Sequence, residues 1–279
     1  MSQAAIIIPV HNRRETTLAC LRHLRATGDL EGFGVIVVDD GSTDGTSESV
    51  RAEFPRVEIL RGDGNLWWTG AIALGMQHAF AAGAEAVCWL NDDCLPAPGA
   101  LRRLFDDALV APGRIVAPAC FDAKTKAAVP NAFRGRGRVS AAPGEKQPAD
   151  GLSGFCVVLP RAVWTRIGRP DARRLPHYYG DNAYTLLAAR AGFSVSVLGD
   201  ARAELTAFQA PPALRAMGEP AAGWRENWQR IFVSPKSPYR LRTLFAYQRL
   251  KYGAVLGPGL ALARAASWIG QFLWARVRG

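Results

Sequence analysis

Cysteine is scarce in this sequence and nothing pairs it. The 279 residues hold five, an odd number with no C-x-x-C spacing, which excludes a disulfide framework and argues for reduced thiols in a cytosolic compartment. Cys88 and Cys156 fall inside apolar strand patterns, where a thiol is a small core residue. No secretory leader is expected, because no basic residue precedes Ile6, Ile7 and Ile8, and Pro9 cuts that run short. No internal repeat is visible. An uninterrupted membrane span is missing as well: 253–263 and 265–275 are each free of charge, but Arg264 divides them. A central Arg costs roughly 2.5 to 3.5 kcal/mol on insertion scales.

What is present is ordinary globular material, 49% hydrophobic, enough to bury a substantial core in one large domain with an appendage. The formal net charge of +10 suggests a nucleic-acid partner until it is divided along the chain. Residues 225–279 carry ten Lys or Arg and one acid, whereas the other 224 hold 24 bases and 23 acids. The chain therefore reads as a nearly neutral body, residues 1–222, followed by a basic and aromatic tail, residues 223–279. Such a tail points to an anionic membrane surface and not to nucleic acid. The one biased stretch inside the body, 132–149, is rich in Ala, Pro, Gly and Arg and reads as a loop or mobile lid.

Hydrophobic periodicity predicts strands over 5–10, 34–38, 57–60, 87–90, 114–118 and 154–159. Helices are expected over 14–26, with Leu18, Leu21 and Leu24 on one face, and over 69–82 and 99–109. Strands alternating with helices at this spacing indicate an α/β fold, a mainly parallel sheet with helices on both faces.

The chemistry concentrates where those strands end. Val87, Cys88, Trp89 and Leu90 form an apolar run that stops at Asn91, Asp92 and Asp93. Two carboxylates at the carboxyl edge of a parallel sheet lie where open α/β proteins bind ligands. Carboxylate oxygens are the ligands Mg²⁺ or Mn²⁺ prefers, commonly shared with substrate phosphates, so a diphosphate is the natural guest. The next helix starts near Pro98, which leaves Asp93 too far upstream to cap it. Asp44 reads as the N-cap of the helix after the second strand, while Asp40 can accept the imide N–H of a uracil or thymine ring. Trp67 and Trp68 follow the third strand; neighbouring helical positions point about 100° apart, so either both pack or one offers a stacking surface. Asp181, at the start of a later helix, suits a cap, a general base or both. His177, beside Tyr178 and Tyr179, reads as a hydrogen-bonded structural residue or a second candidate base.

In the tail, residues 239–252 read as an imperfect basic amphipathic helix. Leu241, Leu244, Phe245 and Tyr252 share a face around Gln248, with Arg240, Arg242, Arg249 and Lys251 on the flanks. With Pro258 and Arg264 weighing against a span, the remainder is expected to lie in the membrane interface with Trp268 and Trp274 at headgroup depth, or to pack on the body.

Taken together, IIIPVHNR at 6–13, VVDDGSTDGT at 37–46, GDGNLWWTGA at 62–71, WLNDD at 89–93 and LPHYYGDNAYTLLAARAGF at 175–193 resemble the family 2 glycosyltransferases of the GT-A fold. The likeness is to the bacterial rhamnosyltransferase-like members that build surface polysaccharides. It implies that Pro9 and Asp40 are nucleotide-binding positions, that Asn65, Trp67, Trp68, Asn91 and Asp92 serve the donor, and that Asp93 matches the metal-binding Asp closing the family's D-x-D motif. Asp181 matches the catalytic Asp that deprotonates the acceptor, with His177 and Tyr179 as acceptor or support residues. Asn91 departs from the first acid of D-x-D, Gly180 from the Glu before the base, and Ala183 from a common second Asp.

The resemblance implies an inverting transferase using Mg²⁺ or Mn²⁺, a dTDP- or UDP-sugar donor and a glycan or polyprenyl-diphosphate-linked acceptor, cytoplasmic and peripheral on the inner face of the membrane. Two alternatives stand beside it. One is a sugar nucleotidyltransferase, although residues 8–14 lack the Gly-rich loop such enzymes use for triphosphate. The other is a membrane-bound subunit that binds a sugar nucleotide without turning it over.

Overall fold

The structure, a computed structural model, describes residues 3–110, 113–207, 214 and 222–277. The first half alternates as expected: β1 (Ala4–Val10), α1 (Arg14–Ala26), the single turn α2 (Asp29–Gly32), β2 (Gly34–Asp39), α3 (Thr46–Glu53), β3 (Glu58–Arg61), α4 (Trp67–Ala81) and β4 (Ala86–Leu90). There follow β5 (Cys94–Pro96), α5 (Ala100–Val110), β6 (Arg114–Asp122), β7 (Ala128–Val129), β8 (Ala132–Arg134), β9 (Gly137–Val139), β10 (Lys146–Pro148), β11 (Gly151–Leu152) and β12 (Cys156–Pro160). The body closes with α6 (Arg161–Ile167), α7 (Gly180–Arg190) and β13 (Ser194–Leu205), and the tail holds α8 (Trp224–Trp228), a π-helical turn (Gln229–Val233) and α9 (Leu241–Val277).

The main sheet runs β10-β13-β6-β12-β4-β1-β2-β3. Its β4-β1-β2-β3 half is wholly parallel, and β12 enters antiparallel between β4 and β6. Alternating side chains supply two cores. Ile6, Ile8, Val37, Cys88 and Leu90 meet Leu18, Leu21 and Leu24 of α1 and Leu104 and Phe105 of α5 on one face. Ile7, Ile36, Val38, Val87 and Trp89 meet Ile72 and Met76 of α4 and Tyr184 of α7 on the other. Strands buried on both faces explain why they read as continuous apolar runs and not as alternation. All five cysteines are buried free thiols, with Cys88 and Cys156 Sγ atoms 3.8 Å apart.

Two expectations are corrected. The stretch 132–149 is not a lid: β8 pairs with β9 and β11 in a small second sheet, while β10 pairs with β13 at the edge of the main one. Ala132 and Phe133 of β8 and Ala141 of the loop after β9 are buried there, in a stretch whose strands are too short for a periodic signal. In the tail, α9 kinks at Gly253 (φ 85°, ψ 176°), and its second segment folds back so that Ala261, Ala265, Trp268 and Phe272 bury against Ile231, Phe232 and Leu244. Trp268 therefore packs in a small core, against Tyr239, instead of facing outward, whereas Trp274 remains 60% exposed. Among the described residues no helix is long and apolar enough to cross a membrane.

Candidate functional site

A cavity of about 560 Å³ opens at the carboxyl ends of β1, β2 and β4. Pro9, Asp40, Trp67, Trp68, Asn91, Asp92, Asp93 and His177 line it, joined by His11, Arg13 and Lys236. This is where strand carboxyl ends leave a crevice in open α/β sheets.

Asp92 and Asp93 sit beyond β4, and Arg13 crosses from the start of α1 to hold both. Its Nε lies 2.9 and 3.0 Å from the two oxygens of Asp92, and its Nη2 donates to Asp93 Oδ2 at 3.1 Å. Asp92 is 4% exposed and also accepts from Thr17 Oγ1 at 3.0 Å. Burial pushes its carboxyl above the usual range, and Arg13 pulls the other way. Arg13 is itself held above its ordinary value, since the two carboxylates outweigh its own desolvation. The two acids thus differ: Asp92 is a buried anchor, while Asp93 is a quarter exposed and keeps one oxygen clear of Arg13. No group of three or more His, Cys, Asp or Glu suited to a metal occurs among the described residues. Asp93 backed by Asp92 fits a divalent ion of the kind that one or two carboxylates share with substrate phosphates, and does not fit an all-protein cage.

Asp40 organises the loop after β3. Its Oδ1 accepts from the amides of Gly64 (2.8 Å) and Leu66 (3.2 Å), and its Oδ2 from that of Trp67 (2.8 Å). Three of about four acceptor sites on a carboxylate are thereby used. The bond to Trp67 pins a residue at φ 55°, a conformation costly for a bulky side chain that persists only where its surroundings enforce it. Trp67 then faces the edge of His177 and the ammonium of Lys236. Trp68 packs edge-on to Trp89 and donates Nε1–H to Asn91 Oδ1 at 2.8 Å. Both tryptophans therefore border the cavity. Among the described residues the buried Nδ1 of His177 has no hydrogen-bond partner, and burial beside Lys236 lowers its pKa, which goes against a structural histidine held through that nitrogen.

Asp181 does not line this cavity. It opens α7 with Oδ2 accepting from the Gly154 amide at 2.6 Å and Oδ1 from Asn182 at 2.7 Å. Burial raises its pKa, partly offset by those two amides. The ring edge of Trp68 lies so close to Gly154 that a Cβ there would stand 2.3 Å from it and 3.1 Å from the Asp181 Cβ. A continuous contact path, Asn91 to Trp68 to Gly154 to Asp181, thus links the acidic edge of the cavity to the carboxylate of α7. Gly180 is equally constrained: a Cβ would meet Thr69 Oγ1 at 2.0 Å, which explains why no Glu stands there.

Asn65 and Tyr179 lie apart from the cavity lining. Asn65 hydrogen-bonds within its own turn through Asp63, and Tyr179, at φ 66°, stacks on Tyr247 of α9 at 4.5 Å, so it fastens the tail to the body. Asp44 receives the amides of Thr46 and Arg14, tying the starts of α3 and α1 together from one position before the cap. Sequence reasoning missed Arg13, although it closes the quoted 6–13 stretch. It also missed Lys236, which reaches the cavity from the tail and carries no local signal.

The profile of glycosyl transferase family 2 matches residues 5–134. The uncharacterized proteins Rv1525 of Mycobacterium tuberculosis and Mb1552 of Mycobacterium bovis are each 30% identical over 200 residues, 68% of this chain and 69% of theirs. Among solved structures, GalNAc-T7 with UDP, GalNAc and Mn²⁺ superposes with a TM-score of 0.63 at 16% identity over 88% of this chain. The chain spans about half of that protein, 48%. The mannosyltransferase PcManGT of Pyrobaculum calidifontis, with GDP-Man and Mn²⁺, gives 0.56 at 18% over 95% of this chain and 75% of its own. These two structures share the GT-A glycosyltransferase fold with this chain.

Proposed function

From the match of residues 5–134 to the glycosyl transferase family 2 profile, we propose that this chain is an inverting glycosyltransferase that takes a sugar from a nucleotide-diphosphate donor. The acceptor is a hydroxyl of a glycan or polyprenyl-diphosphate-linked glycan in bacterial cell-surface polysaccharide synthesis. The resemblance to rhamnosyltransferase-like members makes dTDP- and UDP-sugars the first donors to test. The observation that carries this reading is the cavity joining the Asp40-ordered loop to the Asp92 and Asp93 edge.

In this reading Trp67 and Pro9 flank the base, and Arg13 and Lys236 offer positive charge toward the diphosphate. Mg²⁺ or Mn²⁺ held by Asp93, with Asp92 behind it, would stabilise the departing diphosphate by roughly several kcal/mol. Asp181 accepts the proton of the acceptor hydroxyl as its oxygen attacks the anomeric carbon opposite the leaving group, and a single displacement inverts that centre. Burial supports the assignment by lifting the Asp181 pKa toward the range where a carboxylate works as a base. The basic tail serves the inner face of the membrane, where a lipid-linked acceptor resides.

Calorimetric titration with UDP and dTDP, each with and without Mn²⁺ or Mg²⁺, tests the donor site; binding that strengthens with metal is expected. No binding under any condition would overturn the proposal. Metal-dependent binding with neither transfer nor donor hydrolysis would instead identify a subunit that holds the sugar nucleotide without turning it over.

A further inference from the structure

A second cavity, about 860 Å³, lies between the segment before α7, α7 itself and α9. Five arginines surround it: Arg169, Arg173 and Arg174 from the body, and Arg242 and Arg249 from α9. The single acid in its wall, Asp171, is engaged by Arg174 through the backbone amide at 3.0 Å and the guanidinium at 3.4 Å. The other four guanidiniums have no ion pair among the described residues. Apolar side chains also line it, among them Leu175 and Tyr184, both buried, and Leu250, together with Ala254 and Pro258 of α9. Between those two residues Val255 and Leu256 project outward, 88% and 67% exposed.

Like charges gathered around a cleft repel one another unless an anion enters, and guanidinium forks match phosphate oxygens bidentately. A soluble anion would satisfy the arginines and leave the exposed Val255 and Leu256 in water. A phosphate carried on hydrocarbon satisfies both, with its charge among the forks and its chains along Val255 and Leu256.

We propose that this cleft, separate from the donor cavity, is a binding site for the phosphate headgroup of an anionic membrane phospholipid. The proposal rests on the reading that the tail meets an anionic membrane and gives that contact a defined pocket.

The test is flotation of the full chain with phosphatidylcholine vesicles with and without phosphatidylglycerol. The wild type is expected to bind only the anionic vesicles. Arg242→Gln/Arg249→Gln should weaken that binding about tenfold or more. Arg225→Gln/Arg264→Gln removes the same charge from the same tail outside the cleft and should change it little. Equal losses in the two doubles would show diffuse attraction and overturn the pocket. Loss in Val255→Ser/Leu256→Ser with full binding in Arg242→Gln/Arg249→Gln would keep the membrane reading and remove the cleft. Absence of vesicle binding by the wild type would remove both, while nucleotide titration still reports on the transferase reading. Calorimetry with inorganic phosphate alone is expected to give no saturable heat; saturation there, lost in the cleft double, would reassign the pocket to a free anion. Unchanged melting temperature and nucleotide binding in each double confirm that the fold is intact.

Discussion

The guanidinium of Arg13 stands 3.1 Å from the carboxylate of Asp93, so the residue best suited to hold a divalent ion already shares a cation with its neighbour. One end of that fork holds the buried Asp92, and the other is the contact that the proposed metal and diphosphate would displace.

Replacing Arg13 should therefore separate two effects. Arg13→Gln leaves Asp92 buried with Thr17 as its remaining partner, a loss of about 1 to 3 kcal/mol for an under-satisfied buried acceptor. The low end applies because Arg13 is 39% exposed. Thermal unfolding measures the loss, and a melting temperature equal to that of the wild type would refute the anchoring role.

The adjacent acids should give opposite phenotypes. Asp93→Ala is expected to retain the fold and lose the strengthening of nucleotide binding by Mn²⁺. Asp92→Ala is expected to lower the melting temperature, since it strips Arg13 and Thr17 of their common acceptor. Circular dichroism and calorimetry on both variants decide the matter; identical behaviour would dissolve the distinction.

Asp181→Asn is expected to cut transfer by roughly 10² to 10⁴ while nucleotide binding stays nearly intact. The wild-type pH profile carries the matching signature. A base acts deprotonated, and burial raises this carboxyl above the ordinary value of about 3.9. The acid limb of kcat/KM should thus climb with pH through a midpoint above that value. A midpoint at or below it, or equal loss of binding and transfer in the variant, would refute the base assignment.

Gly180→Ala places a methyl 2.0 Å from Thr69 Oγ1. Overpacking of this kind costs about 1 to 3 kcal/mol, and here the displaced element carries Asp181. Reduced transfer with a lowered melting temperature is expected, against unchanged values if α7 can shift freely.

Much of the fold was legible because β1, β2 and β4 are apolar throughout and their ends carry the polar residues. The 14–26 helix declared itself by its leucine spacing, and Asp92 and Asp93 by ending a buried run. The small strands between Ala132 and Pro148 were illegible because two or three residues cannot display a period, and the partner of β10, the strand β13, lies far along the chain. The roles of Asp40 and Tyr179 were hidden for another reason. A carboxylate that gathers loop amides and one that meets a ligand look alike in sequence, and the Tyr179 partner, Tyr247, comes 68 positions later. Arg13 stood in plain sight, but only the folded chain brings it beside residues 92 and 93.

Lys236 belongs to the tail yet borders the donor cavity, and its ammonium lies 5.7 Å from the Trp67 ring. In the proposed reading anchor and catalyst therefore share a wall: whatever draws the tail toward a surface also pulls on Lys236 in the lining of the donor cavity. A tail exchanged for one of equal charge and a different path would dock the protein and leave that cavity gaping. Under the proposed function attachment and turnover would thus be coupled through one side chain, and a change that tunes one would be felt by the other.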